Sequence, residues 1–339
     1  MVSPFLIRAR KTWHKIFIIW RKVTSLREAN LIFLIIAVSL ALSLLSYHFL
    51  TVDNLLSTAI GMSADGIIAV GMTVALVCGG FDLSVGSVMG LSGVTAGVLY
   101  LSGVDIWLAC VAGLLAGMLC GLLNGFFIGK IGLNPFIATL GIAGIARGAA
   151  YVETQGSPVS ITGVSASFAF IGEGKVLGIP FAVILLVIIA VFGDFMMRRS
   201  EPLRKVFYTG SNEKAAILSG INTARVKTGV YLLTATLASL AGILSLARFT
   251  VATPTAGMGS EMRSISAAVI GGASLSGGEG TVFGAVLGVI LLNLINNGLI
   301  LINVPVFWQE LINGVILIFA VTLDHLSHQN EVNKLKAVK

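Results

Sequence analysis

Eight polar residues fall inside stretches that are otherwise apolar: Asp65, Asp82, Asn124, Asn134, Arg147, Asn293, Asn296 and Asn297. Carboxylate, guanidinium and amide groups in such surroundings can pair with one another, tie helices together, or line a path for a polar solute. Within a membrane the charged ones face the protein interior and find partners. Little here points to catalysis. There is no HExxH, no GxSxG and no zinc-type spacing among His14, His48, His325 and His328. The reading therefore assigns no catalytic residue, no metal site and no cofactor. A GxxxxGK[ST] phosphate loop is also missing, since Gly129-Lys130 runs into Ile131. If ATP drives this chain, another subunit hydrolyses it.

The sharpest polar break lies within 71–91, GMTVALVCGGFDLSVGSVMGL. An apolar run stops at Gly79 and Gly80. Asp82 follows, then Ser84, Gly86 and Ser87, and a second apolar run begins at Val88. Irregular backbone at membrane depth is tolerated only where protein or a water-filled cavity covers it. The break is either a structural hinge at the membrane edge or part of a transport path. Arg147 has Asp65 and Glu153 as candidate partners. Asn124 and Asn293 read as interhelical hydrogen-bonding residues. Asn134 before Pro135 reads as a helix cap with proline at the first helical position.

The elements that must hold these residues are membrane helices. The 339 residues are 56% hydrophobic and 11% charged, against about 25% charged in soluble domains. Apolar runs near the ~20 residues needed to cross a bilayer recur along the chain. They are continuous rather than alternating, which excludes a β-barrel. The fold class is all-α, a polytopic transmembrane helical bundle. About ten spans are predicted, at 30–50, 60–78, 82–101, 106–129, 133–151, 179–197, 228–247, 264–278, 281–301 and 303–323. The permease domain is thus 30–323, and 152–178 is a polar connection. Cys78, Cys110 and Cys120 lie inside apolar runs and read as packing residues. The 40 glycines suit close helix approach.

Segment 1–29 carries seven Lys/Arg interleaved with Trp13, Ile16, Phe17 and Ile18. It is predicted to lie on the cytoplasmic leaflet as an amphipathic helix in contact with lipid. The first apolar run is too long for a secretory signal, and it is read as a retained anchor. The net charge of +7 reflects cytoplasmic loops rather than nucleic-acid binding. Segments 1–29, 198–227, the turn at Lys130 and the tail 324–339 hold 18 of the 22 positive residues. With ten spans they all fall on one side, so both termini are cytoplasmic by the positive-inside rule. An internal echo suggests two parallel halves: Gly79-Gly80-Phe-Asp-Leu-Ser-Val-Gly86 resembles Gly271-Gly272-Ala-Ser-Leu-Ser-Gly-Gly278.

Segment 198–227 is the most informative polar piece. Gly210 and Ser211 are predicted to make a turn. Ser211 or Asn212 caps a short helix over 213–218, with Glu213 near its positive end. Ala215, Ala216, Ile217 and Leu218 give it a small apolar face. Ser219 precedes Gly220, which ends the helix, and Asn222 restarts helix toward Lys227. The bland alternative is a solvated loop. The cap, the Ala pair and the terminal Gly favour a helix that sits in a partner's groove.

Four stretches carry a family resemblance: GMTVALVCGGFDLSVGSVMGLSG (71–93), NPFIATLGIAGIARG (134–148), GSNEKAAILSGIN (210–222) and ISAAVIGGASLSGGEGTVFGAVLG (265–288). By their order and spacing the chain resembles the permease subunits of bacterial ABC sugar importers, of the ribose/autoinducer-2/arabinose/galactoside type, from about residue 50 to 323. That resemblance implies a coupling helix at Gly210, Asn212, Ala215, Ala216, Ser219, Gly220 and Ile221 docking on a cytoplasmic ABC ATPase. It further implies a second permease subunit, identical or a sister chain. A periplasmic or lipid-anchored solute-binding protein, a sugar substrate and a place in the bacterial inner membrane complete the picture. Two residues depart from the family's pattern. Phe81 stands for Ile in the Gly-Gly-Ile-Asp-Leu-Ser motif, and Asp65 stands where a neutral residue is usual, so the substrate differs from ribose if Asp65 meets it. The competing reading is a secondary transporter driven by an ion gradient through Asp65, Asp82 and Arg147.

Overall fold

The computed structural model describes residues 27–305 and 307–337. Most of the basic N-terminal segment, and the side chains of the tail beyond 326, lie outside the described residues. Thirteen helices are described: α1 (Arg27–Leu45), α2 (Val52–Val77), α3 (Val85–Leu101), α4 (Ile106–Gly125), α5 (Pro135–Thr154), α6 (Ala166–Glu173), α7 (Phe181–Arg199), α8 (Glu201–Ser211), α9 (Glu213–Leu218), α10 (Thr223–Phe249), α11 (Ser260–Ile270), α12 (Val282–Leu301) and α13 (Phe307–Ala337). A single π-helical segment, Phe126–Ile131, extends α4, so Lys130 lies within a helix rather than the expected short turn. Local chemistry starts many of these helices. Thr51, Asp105, Asn134, Ser165, Ser200, Asn212, Asn222 and Thr281 each cap one through a side-chain oxygen that accepts a backbone N–H.

Seven described helices are long and apolar enough to cross a membrane, and α3 (Val85–Leu101) and the Phe307–Thr322 part of α13 are shorter apolar stretches. The expected span 264–278 is different. It contains only α11, whose 11 residues extend about 16 Å at 1.5 Å per residue, half of the ~30 Å hydrocarbon core. Residues 253–259 enter without helix before it, and α3 covers part of them: a Cβ on Gly86 would meet the Gly257 carbonyl, and one on Gly90 the Ala256 carbonyl, while Thr255 and Met258 are exposed. The expected C-terminal boundary near 323 also moves, because α13 continues to Ala337.

The polar connection 152–178 is partly ordered structure. Residues Val159–Ser160 (β1) pair antiparallel with Val251–Ala252 (β4), and Lys175–Val176 (β2) with Ile179–Pro180 (β3). Helix α6 buries Phe168 completely, and a Cβ on its Gly172 would strike the Ala247 carbonyl of α10.

The core is built on α3, α4 and α10. Glycines at every fourth position of α4 and its π extension, Gly113, Gly117, Gly121, Gly125 and Gly129, form one stripe. Added Cβ atoms would run into Ser92 of α3 and into Ser239, Ala235, Thr228 and Ala224 of α10. Small residues at this spacing let membrane helices approach to backbone contact. The opposite face of α4 exposes Leu108, Val111, Leu115, Leu119 and Leu122, the positions that would meet lipid. The three cysteines are free and buried, as packing residues should be.

Candidate functional site

Three segments meet at one end of α2. The helix ends at Val77 with Gly79 in the left-handed conformation (φ +85°). The Gly79 N–H donates to Leu76 O at 2.8 Å and the Gly80 N–H to Ala75 O at 3.0 Å, which is a Schellman termination. Helix α11 ends the same way. Gly272 has φ +94°, its N–H donates to Val269 O at 2.9 Å, and that of Ala273 to Ala268 O at 2.9 Å. The internal echo is therefore a matched pair of helix ends, shifted by one residue from the sequence alignment: Gly79 corresponds to Gly272, not Gly271.

Both turns abut the C-terminal end of α8. The Gly278 N–H donates to Val77 O at 2.8 Å. A Cβ on Gly210 would land on the same Val77 oxygen, and Gly277 lies against both Gly79 and Gly210. Gly210 and Ser211 are thus the last residues of a helix, not the turn expected from the sequence. The pattern Ser200-Glu201-Pro202, a cap followed by proline in the first turn, was the signal for α8.

From this junction projects α9. Asn212 Oδ1 accepts the Ala215 N–H at 3.0 Å. Gly220, at φ +82°, closes the helix, the Ile221 N–H donating to Ala216 O at 3.0 Å. Asn222 Oδ1 then caps α10 through the Arg225 N–H at 3.0 Å. Glu213 is held by Lys227 at 2.6 Å. Only Ala216 is buried, while Ile217 is 55% and Leu218 89% exposed. Ala215, Ser219 and Gly220 are also exposed.

Above the junction lies a buried polar knot. Asp82 is fully buried. Its Oδ1 accepts the Ser84 N–H at 2.9 Å, the Ser84 hydroxyl at 2.5 Å and, more weakly, the Asn124 amide at 3.5 Å. Oδ2 accepts the Thr234 hydroxyl at 2.6 Å. Asn124 also donates to Ser84 Oγ at 2.9 Å. The carboxylate thus joins the 79–84 turn to α4 and α10. Thr234, missed in the sequence because one Thr in an apolar helix carries no signal, completes it.

A second polar group lies between α2, α11, α12 and α13. Asp65 pairs with Arg263, Nε to Oδ2 3.1 Å, and accepts the Ser260 hydroxyl at 3.0 Å. Neither candidate partner of Arg147 is used. Arg147 donates to the carbonyls of Pro254 and Ala256, the latter at 2.8 Å, and Glu153 accepts the Thr95 hydroxyl at 3.0 Å. Arg147 thus satisfies backbone acceptors of the non-helical 253–259 segment. Asn293 donates to Val289 O of its own helix at 3.0 Å and, among the described residues, makes no interhelical bond. Its neighbour Asn297 does, exchanging amide bonds with Asn54 at 2.8 and 3.0 Å. Asn134 is the predicted cap, accepting the Phe136 N–H at 2.8 Å. Among the described residues no cluster of His, Cys, Asp and Glu could hold a metal ion.

Continuous apolar helices, a non-helical segment partly covered by protein, and polar groups held in the interior define a polytopic α-helical membrane protein. Residues 54–321 match the family described as branched-chain amino acid transport system / permease component, and the chain belongs to that family. It is 39% identical over 282 residues to the ribose import permease protein of Bacillus subtilis (strain 168), covering 83% of this chain and 88% of that protein. It is 37% identical to the D-allose transport system permease protein of Escherichia coli (strain K12), covering 87% and 90%. It is 33% identical to the L-arabinose ABC transporter permease protein of Azospirillum brasilense, covering 95% and 92%. No solved structure matches.

Proposed function

We propose that this chain is the membrane-spanning permease subunit of an ATP-driven importer for a monosaccharide or a sugar-like solute, in the bacterial inner membrane. The observation that carries the proposal is α9: a capped, terminated helix whose Ile217 and Leu218 stand exposed beside the junction of Val77, Gly210 and Gly277. An apolar tip of this kind suits insertion into a partner's groove. The backbone contacts behind it would pass displacement to α2 and to the α11–α12 turn together. The partner is an ABC ATPase, since this chain has no phosphate loop of its own. The family description names branched-chain amino acids, whereas relatives matching across most of the chain are ribose, allose and arabinose permeases. The long matches carry more weight for the solute class.

Ten crossings remain the best topology, with α11 and the 253–259 segment together making the eighth. Both termini and α8–α9 are then cytoplasmic. The matched ends of α2 and α11 support two parallel halves. The working pore requires a second permease subunit, and the opposite face, including α6 and the β1–β4 pair, receives the solute-binding protein. Reconstitution with the ATPase and binding protein in liposomes tests this. Uptake of D-ribose, D-allose or L-arabinose should require ATP and persist when the proton gradient is collapsed. Uptake that follows the gradient and ignores ATP would overturn the proposal.

A further inference from the structure

A groove of about 630 Å³ runs between α2, α7, α8 and α10, and none of the residues lining it belongs to the polar groups described above. Every lining residue is apolar, glycine or proline except two, Lys205 and Arg225. Both cations stand at one end. Lys205 is in α8, which follows the last turn of α7 directly, and Arg225 is in the first turn of α10. From Arg225 the lining descends α10 through Gly229 and Leu233 to Leu237. That distance is about 18 Å at 1.5 Å per residue, close to the ~15 Å of hydrocarbon in one leaflet. The groove is open on one side: Phe192 is 63% exposed, Gly229 is exposed, and a Cβ added to Gly229 meets no neighbouring atom within 4 Å. Lys205 is shared with Glu201 at 2.8 Å. Arg225 is exposed, and its guanidinium has no ion-pair partner among the described residues.

We infer that this groove holds one anionic phospholipid of the cytoplasmic leaflet, its phosphate at Arg225 and Lys205 and an acyl chain lying along α10 toward Leu237. The inference rests on the cytoplasmic placement of α8–α9 proposed above and on no property of the solute. An acyl chain is as much at home against Val, Leu and Phe as in bulk lipid, so the headgroup supplies the selectivity. A guanidinium takes two phosphate oxygens at once, and basic pockets between helices on the cytoplasmic side draw anionic headgroups. A zwitterionic phospholipid fills the same apolar length but brings no net negative charge to the two cations. The chain's own segment 1–29, with seven Lys/Arg, would bring like charge to that end. The length of the groove, its open side and its cations at one end thus match a single lipid molecule with a negative head.

The test uses the full chain in detergent, without sugar or ATPase, so its failure leaves the importer reading standing. The sidedness of α8–α9 is checked separately, by thiol labelling of a Leu218→Cys variant. Added dioleoyl-phosphatidylglycerol should raise the thermal unfolding midpoint by about 3 °C, and dioleoyl-phosphatidylethanolamine by clearly less. Arg225→Gln should remove the difference between the two lipids. Gly229→Leu fills the groove at its open position with a better helix former. It should therefore fold as well as the original chain and lose the response to both lipids. Native mass spectrometry should count one fewer retained phosphatidylglycerol per chain for Gly229→Leu than for the original chain. Inorganic phosphate alone should give no shift. Equal responses of the original chain to the two lipids overturn the inference, as does a phosphatidylglycerol response that survives both substitutions. A shift with inorganic phosphate as large as that with the lipid overturns it too. So does efficient cross-linking of Gly229→Cys between two copies in membranes, which would make the groove an interface between chains.

Discussion

The carbonyl oxygen of Val77 and the Cα of Gly210 are in contact, and no Cβ fits between them. The same oxygen accepts the Gly278 N–H at 2.8 Å. One atom thus holds α2, the end of α8 and the turn before α12. Gly210→Ala should force these apart, at about 1–3 kcal/mol for an overpacked site. Because α9 starts shortly after, at Glu213, transport should suffer more than assembly. Uptake per assembled complex measures this, and an alanine variant with normal uptake would show that the contact is not needed.

The Asp82 knot predicts a stability effect. Asp82→Ala leaves the Ser84 N–H and hydroxyl without their acceptor, at about 1–3 kcal/mol for each buried orphan, while the Thr234 hydroxyl keeps Tyr231 O at 2.9 Å and the Asn124 amide keeps Ser84 Oγ at 2.9 Å. Ser84 is fully buried and Asn124 likewise, so water cannot replace the carboxylate without rearrangement. Thermal unfolding in detergent should fall clearly for Asp82→Ala and less for Thr234→Val, which removes one donor. Equal midpoints for both variants and the original chain would contradict the tie between the turn, α4 and α10.

For α9 the prediction separates folding from docking. Leu218 touches little of its own chain, being 89% exposed, so Leu218→Asp should leave the permease as stable as before, within about 0.5 kcal/mol for a surface change. Co-purification with the ATPase should nevertheless drop. Asn212→Ala should destabilise the helix locally by about 1 kcal/mol through the lost cap. Undiminished ATPase recovery with Leu218→Asp would argue against this surface as the docking tip.

Asp65 and Arg263 should behave as a unit. Each is partly buried, with side chains 17% and 25% exposed, so Arg263→Gln leaves the Asp65 carboxylate without its cation, and Asp65→Asn leaves Arg263 with only the more distant Glu310 at 4.0 Å. Asp65→Asn combined with Arg263→Gln should be better tolerated than the sum of the two changes, with a coupling energy of at least about 0.5 kcal/mol. A double-mutant cycle on thermal stability provides the number. Strict additivity would mean that the pair does not hold α2 to α11.

Topology has its own check. Leu177, at the β2–β3 turn, is 99% exposed, and Leu218 is 89% exposed. In intact cells a membrane-impermeant thiol reagent should modify Leu177→Cys and spare Leu218→Cys. In inverted vesicles the order should reverse. Labelling of both from one side would break the assignment of ten crossings.

Much of this protein is local, and its sequence alone determined it. Membrane helices follow from apolar runs, because backbone polar groups in lipid must be satisfied within the segment. The caps at Asn134, Asn212 and Asn222 and the stop at Gly220 follow from short-range hydrogen bonding, and the structure has each where the residue type requires it. Partner choice is not local. The pairing of Asp65 with Arg263 across 198 positions, of Asp82 with Thr234 across 152, and of Arg147 with backbone carbonyls rather than a carboxylate depended on which helix faces lie together. The same holds for α11, where the apolar composition of a span was present but the chain enters without helix, because α3 packs against it and covers its carbonyls. Composition fixes what a segment must bury; only the packed bundle decides against what.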